Sequence, residues 1–203
     1  AILNGISRGQ FSRLVACGLP VDGPLPMDGE SVTPLQFAAG LGRVDIVREV
    51  LDAGANPNDA GRTRLPPLDI ALGGSKFAVA HELLARGARA DYVLPDLGLT
   101  SLMSLAFVHD FDAEAESIAH ILLARGAAPN AADRSGDTAL HHAARTGKAR
   151  YVQLLVKAGA DRCAVNRKGQ RPADVPRRNA EEIVPLLQGP CPAAAPASGA
   201  ASR

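Results

Sequence analysis

The sequence predicts an all-α solenoid: stacked helix–turn–helix repeats joined by short hairpin-like finger loops. Three observations lead there. Gly-Ala pairs suited to ending helices stand at Gly54, Gly87, Gly126 and Gly159, separated by 33, 39 and 33 residues. Before each stop the apolar positions superpose as Ile46/Val79/Ile118/Tyr151, Val50/Leu83/Leu122/Leu155 and Leu51/Leu84/Leu123/Val156. Further upstream Leu35/Leu68/Leu102/Leu140 and Ala39/Leu72/Ala106/Ala144 do the same for a first helix. Helices this short cannot bury their apolar faces alone, so each pair needs a neighbour on either side.

Residues 1–32 form an N-terminal cap repeat. Gly9 to Gly18 spans 9 residues where Gly42 to Gly54 spans 12, so its second helix is about one turn short, and its connector VDGPLPMDGES reads as an extended finger. Residues 33–65 are regular, with Thr33 as cap and Pro34 at the first helical position. Residues 66–99 begin on Pro66-Pro67, which removes the capping hydroxyl, and leave through ARADYVLPDLGL. That finger offers Tyr92, Val93, Leu94, Leu97 and Leu99 either to a neighbouring repeat or to a partner. Residues 100–137 carry five extra residues between their helices, because Ala106 to Ile118 spans 12 where Ala39 to Ile46 spans 7. Residues 138–170 are the most regular unit, with Thr138 as cap and Gly147 between the helices. Residues 171–187, interrupted by Pro176 and Pro185, read as a C-terminal cap repeat. Residues 188–203 form a Pro/Ala-rich disordered tail or linker.

The total charge of +1 calls for neither nucleic acid nor membrane, and no apolar run approaches the ~20 residues of a span. Aromatics at 3% suit thin helix pairs filled with Ala and Leu. The chain begins at Ala1 inside a helical pattern, so a lost upstream segment is expected and export stays open beside the favoured cytoplasm. Of three cysteines, Cys17 and Cys163 lie too many repeats apart to pair, and Cys191 lies in the tail. Two small buried residues and one exposed thiol are expected, weakly suggesting a reducing compartment.

The first helices read TPLQFAA at 33–39, PPLDIAL at 66–72, TSLMSLA at 100–106 and TALHHAA at 138–144. With second helices such as IVREVLDAGA and YVQLLVKAGA, the chain from residue 1 to about 187 resembles the ankyrin repeat, whose unit is ~33 residues with a T-P-L-H-x-A signature. The resemblance implies an ankyrin-type solenoid and a structural role for His141, bridging helix and finger backbone. Gln36 and Asp69 stand where that histidine is expected, so their fingers should be held less rigidly. It implies a noncatalytic protein–protein interaction module that uses a concave groove and its finger loops. On the groove this places Phe37, Leu41, Phe107, Val108, His142, Arg145 and Thr146; on the fingertips it places Arg62, Asp96, Leu97, Arg134, Arg167 and Lys168. A targeting or regulatory ankyrin region of a larger enzyme is the alternative.

Nothing in the residues argues for catalysis, a cofactor or a metal. His109, Asp110, Asp112, Glu114 and Glu116 match no ligand spacing and read as solvated charge near a helix start. No histidine has a Ser or Cys nucleophile in a recognisable motif, and the glycine pairs follow helices rather than strands. Charge is uneven: six acids and no Lys or Arg lie from Asp91 to Glu116, against eleven Lys/Arg and three acids from Arg134 to Arg178. The expected partner is another protein, of opposite polarity along the groove, bound by a monomer.

Overall fold

The computed structural model describes residues 13, 20–25 and 32–189. The N-terminal cap repeat therefore lies almost wholly outside the described residues, as do Cys17, Cys191 and residues 190–203. The chain divides into two compact units, Ala1–Ala128 and Pro129–Arg203.

In the first unit the helices come in pairs: α1 (Pro34–Leu41) with α2 (Val44–Asp52), α3 (Pro67–Gly73) with α4 (Phe77–Ala85), and α5 (Ser101–Ser104) with α6 (Ala113–Ala124). First helices pack as α1 on α3 on α5 and second helices as α2 on α4 on α6, giving two layers. Their shared interior holds Leu35, Leu68 and Leu102 from one layer and Ile46, Val79 and Ile118 from the other, none above 2% exposed. Thr33 and Gln36 close a capping box at the start of α1, while Pro66 stands at the cap position before α3 and makes no side-chain cap, as its missing hydroxyl requires. The five extra residues are shared between two effects. α5 is only four residues long, and α6 runs for 12 where α2 and α4 have 9. Asp112 caps that lengthened helix by accepting from the Glu114 and Ala115 amides at 3.0 and 2.9 Å.

In the second unit α7 (Ala139–Thr146) pairs with α8 (Ala149–Lys157). Residues 171–187 hold a 3-10 turn at Pro172–Asp174 and α9 (Ala180–Leu187), which tolerates Pro185 and buries Ile183 and Leu187. Tyr151 is fully buried in α8, and that burial pushes its hydroxyl well above the ordinary phenol range.

Within each unit the repeats are also stitched through asparagine. Asn58 donates to the Gly87 carbonyl and accepts from the Arg89 amide at 2.8 Å. In the second unit Asn130 does the same to Gly159 and Asp161, at the same offsets along the chain. Unlike the expectation for the cysteines, Cys163 is half-buried and disulfide-bonded. Counting thiols by repeat therefore misjudged it, and the inference of a reducing compartment falls with it.

Candidate partner-binding surface

In the repeats of α1 and α7 the first helix and the finger after it are joined by one buried polar side chain. In α7 that residue is His141. Its Nδ1 accepts from the Thr138 amide at 3.2 Å, and its Nε2 donates to the Gln170 carbonyl at 3.0 Å, tying helix start to finger. Burial pushes the His141 ring below its ordinary value, only partly offset by the Gln170 carbonyl and the Asp137 charge, and the neutral ring supplies the donor and acceptor this geometry needs. In α1 the same place is taken by Gln36. It accepts from the Thr33 amide, and its side-chain nitrogen lies 2.8 Å from each of the Ala60 carbonyl, the Thr63 hydroxyl and the Leu65 carbonyl, which share its two hydrogens. The finger after α1 is thus held firmly, contrary to expectation.

Asp69, in the same place on α3, behaves otherwise. Its Oδ1 accepts from the Ser101 hydroxyl at 3.0 Å, while Oδ2 is buried with no hydrogen-bond partner. Burial drives this carboxyl up to about 6, with Ser101 opposing. Its finger relies on backbone pairing instead: Val93 bridges Thr100, and the Leu94 amide donates to the Leu99 carbonyl at 2.8 Å.

On the first unit this scaffold presents apolar side chains to solvent. Leu41 is 41% exposed, Val93 50%, Leu97 58% and Phe107 56%, while Phe37 is half-buried. Arg62 and Asp96 are exposed on fingers, and Arg64 lies 3.8 Å from Asp96. Val108 departs from its expected role. The turn after α5, where the Phe107 amide donates to the Ser104 carbonyl, sends Phe107 outward and Val108 into the core, where it is 3% exposed.

The second unit carries a different surface. Arg134, Arg167 and Lys168 are exposed on fingers, and Arg145 and Thr146 are half-buried on α7. His142 is buried rather than displayed, because its Nε2 lies 2.9 Å from Asp133 Oδ2. Asp133 itself is fixed by its finger turn: Oδ1 accepts from the Ser135 and Asp137 amides at 2.7 and 2.9 Å. Asp137 accepts from Asn166 Nδ2 and Arg145 Nη2, both at 2.7 Å. Burial alone would raise the Asp137 carboxyl, but those two donors and the Arg145 charge hold it below the ordinary range. Gly136, at φ +77, lets the two fingers meet, since a Cβ there would lie 2.9 Å from the Arg167 nitrogen. Sequence reasoning picked out His142 and Arg145 but missed Asp133 and Asn166, although the turn-forming DRSGD string marks the position of the first.

Asp133, Asp137 and His142 bring one potential metal-ligand atom each within 4.8 Å of one another. Those donors are already spent on Arg145, Asn166 and one another, and the guanidinium supplies the positive charge a cation would bring. The cluster is a hydrogen-bonded brace for the finger.

Two family models match the chain: one described as ankyrin repeats in three copies over residues 103–193, the other as an ankyrin repeat over residues 32–62. The chain belongs to the ankyrin repeat family. A putative ankyrin repeat-containing protein of Treponema pallidum is 32% identical over 59% of this chain and 39% of its own length. An ankyrin repeat, SAM and basic leucine zipper domain-containing protein of Dasypus novemcinctus is 30% identical over 68% of this chain and 29% of its own length. This ankyrin chain thus spans well under half of either curated relative. The crystal structure of the ankyrin repeat domain of Bcl-3, a member of the IkappaB protein family, matches with a TM-score of 0.72 and 27% identity. It covers 87% of this chain, and the match spans 75% of the Bcl-3 chain. Ankyrin repeats serve generally as protein–protein interaction modules and are typically noncatalytic. No helix among the described residues is long and apolar enough to cross a membrane.

Proposed function

We propose that this chain is a noncatalytic module, monomeric, that binds another protein through its first-helix groove and finger loops. The observation that carries the reading is the exposure of Leu41, Leu97 and Phe107 on a scaffold whose other large apolar side chains are mostly buried. Phe37 completes the apolar contact set, with Arg62 and Asp96 at its rim. In the second unit Arg134, Arg145, Thr146, Arg167 and Lys168 form the polar part. Val108 and His142 are buried and are left out of the contact set. The partner has opposite polarity: apolar or basic where it meets the first unit, acidic where it meets the second. A second reading, a targeting or regulatory region of a longer protein, draws support from the small share of its relatives that the chain spans.

The test is affinity capture from the native host with the intact chain and with a Leu97→Asp/Phe107→Ser variant, both substitutions being at exposed positions. Proteins retained by the parent and lost by a folded variant are the expected result. Identical retained sets would refute the apolar contact. Charge reversal at Arg167 and Lys168 tests the polarity separately, and is preferable to reversal at Arg145, which would break the Asp137 pair.

A further inference from the structure

Against the α7 brace, wholly within the second unit, lies a cavity of about 490 Å³. We propose that this cavity receives an anionic side chain, a carboxylate or a phosphorylated residue, of a bound polypeptide. The inference rests on the protein-binding reading above and gives it a specific contact.

Two acids line the cavity, and both are engaged. Asp137 accepts from Asn166 and Arg145 through its two oxygens, and Asp174 accepts from the Arg171 amide at 2.8 Å. Three cations line it as well: Arg145 is paired with Asp137, while neither Lys168 nor Arg177 forms an ion pair with another described residue. They come from separate segments, the last finger and the stretch after the 3-10 turn, yet both border the same space. The Ser135 hydroxyl and the Gln170 side-chain amide border it too, and neither bonds to another described side chain or backbone group.

The wall therefore has donors to spare and its acids already compensated, which is the polarity an oxyanion requires. The brace behind it holds the Arg145 guanidinium in place through Asp137, so that part of the wall is set before a ligand arrives. The volume falls in the range of small-ligand pockets, enough for one side chain with its flanking backbone. Exposed cations contribute modestly one at a time, so the site needs Lys168 and Arg177 together.

The experiment is a 15N-NMR titration of the full chain. The probes are acetyl-Gly-Glu-Gly-amide and acetyl-Gly-phosphoserine-Gly-amide, with acetyl-Gly-Lys-Gly-amide as the control. The amides of Ser135, Lys168, Gln170 and Arg177 should shift with one or both acidic peptides and not with the lysine peptide. Response to both marks a plainly acidic partner, and response to the phosphopeptide alone marks a phosphorylated one; either supports the site. Lys168→Gln and Arg177→Gln should each weaken binding by about three- to fivefold, and the double variant should lose it. No shift at these residues with either acidic peptide, an equal response to the lysine peptide, or undiminished binding by the double variant would overturn the proposal. If it fails while the Leu97→Asp/Phe107→Ser variant still sheds captured proteins, the anion site falls and the groove reading stands.

Discussion

Asp69 sets up a measurable pH dependence. Its carboxyl is displaced from an ordinary 3.8 to about 6 by burial, with Oδ2 left unpaired. A displacement of that size corresponds to about 3 kcal/mol between the two protonation states. Because the folded value lies above the unfolded one, the favourable contribution is fully present below the unfolded value. It is lost as pH rises through about 6, and the carboxylate is a net cost at neutral pH.

Asp69→Asn keeps the shape and cannot titrate. The buried amide has its own cost, about 1–3 kcal/mol if its N–H group finds no partner. That cost is nearly the same at every pH, so the difference between the two stability curves isolates the carboxyl. Urea unfolding followed by circular dichroism, from about pH 4 to about pH 7.5, should show the variant gaining about 2–3 kcal/mol on the parent across that range. Amide exchange at α3 and its finger should carry the same trend if the gain is local. A difference constant to within about 0.5 kcal/mol would refute the reasoning, because Asp69 would then not titrate between folded and unfolded states as its burial requires.

The other predictions concern the brace, the latches and the thiols. His141→Ala should cost about 2–4 kcal/mol by thermal or urea unfolding, since it opens a cavity and strands the Gln170 carbonyl; His141→Gln should recover much of this, as Gln36 already makes equivalent bonds. Gly136→Ala should cost about 2–3 kcal/mol, combining positive φ with a backbone clash. Gly159→Ala, with positive φ and nothing within 4 Å, should cost about 1 kcal/mol, and equal melting-temperature losses would show that the fingers are not in tight contact. Thiol titration of the unreduced, denatured chain should find one free cysteine, because Cys163 is in a disulfide; three would contradict the pairing.

The fold was legible because it is written in burial. Ile46, Val79, Ile118 and Tyr151 recur at one register and all lie at 2% exposure or less, so the period that aligned them on paper is the one that packs them. The insertion was countable but not placeable: five extra residues could lengthen a loop or a helix. Asp112, by capping α6 three residues ahead of where α4's pattern would start, helps divide them between the two. Contacts made by folding a finger back on its helix were less visible. Nothing in HHAAR says that the second histidine faces Asp133, nine residues earlier, because that approach depends on the turn between them. Phe107 and Val108 are equally apolar neighbours, and only the turn after α5 decides which one points outward.

The pair Gln36 and Asp69 shows where motif matching should give way to chemistry. Both depart from the family's histidine, and by identity alone both fingers should be loose. What the position demands is reach and a donor aimed at the finger carbonyls. Glutamine has both, so the Gln36 amide reaches three acceptors on the finger and its cap closes. Aspartate is one methylene shorter and, ionised, only accepts; it turns instead to Ser101 of the next repeat and leaves an oxygen unmatched. Asp69→Gln should therefore gain more than Asp69→Asn if the finger can be reached. Equal stabilities for the two variants at about pH 7 would mean that charge alone, and not the lost latch, sets the cost of Asp69.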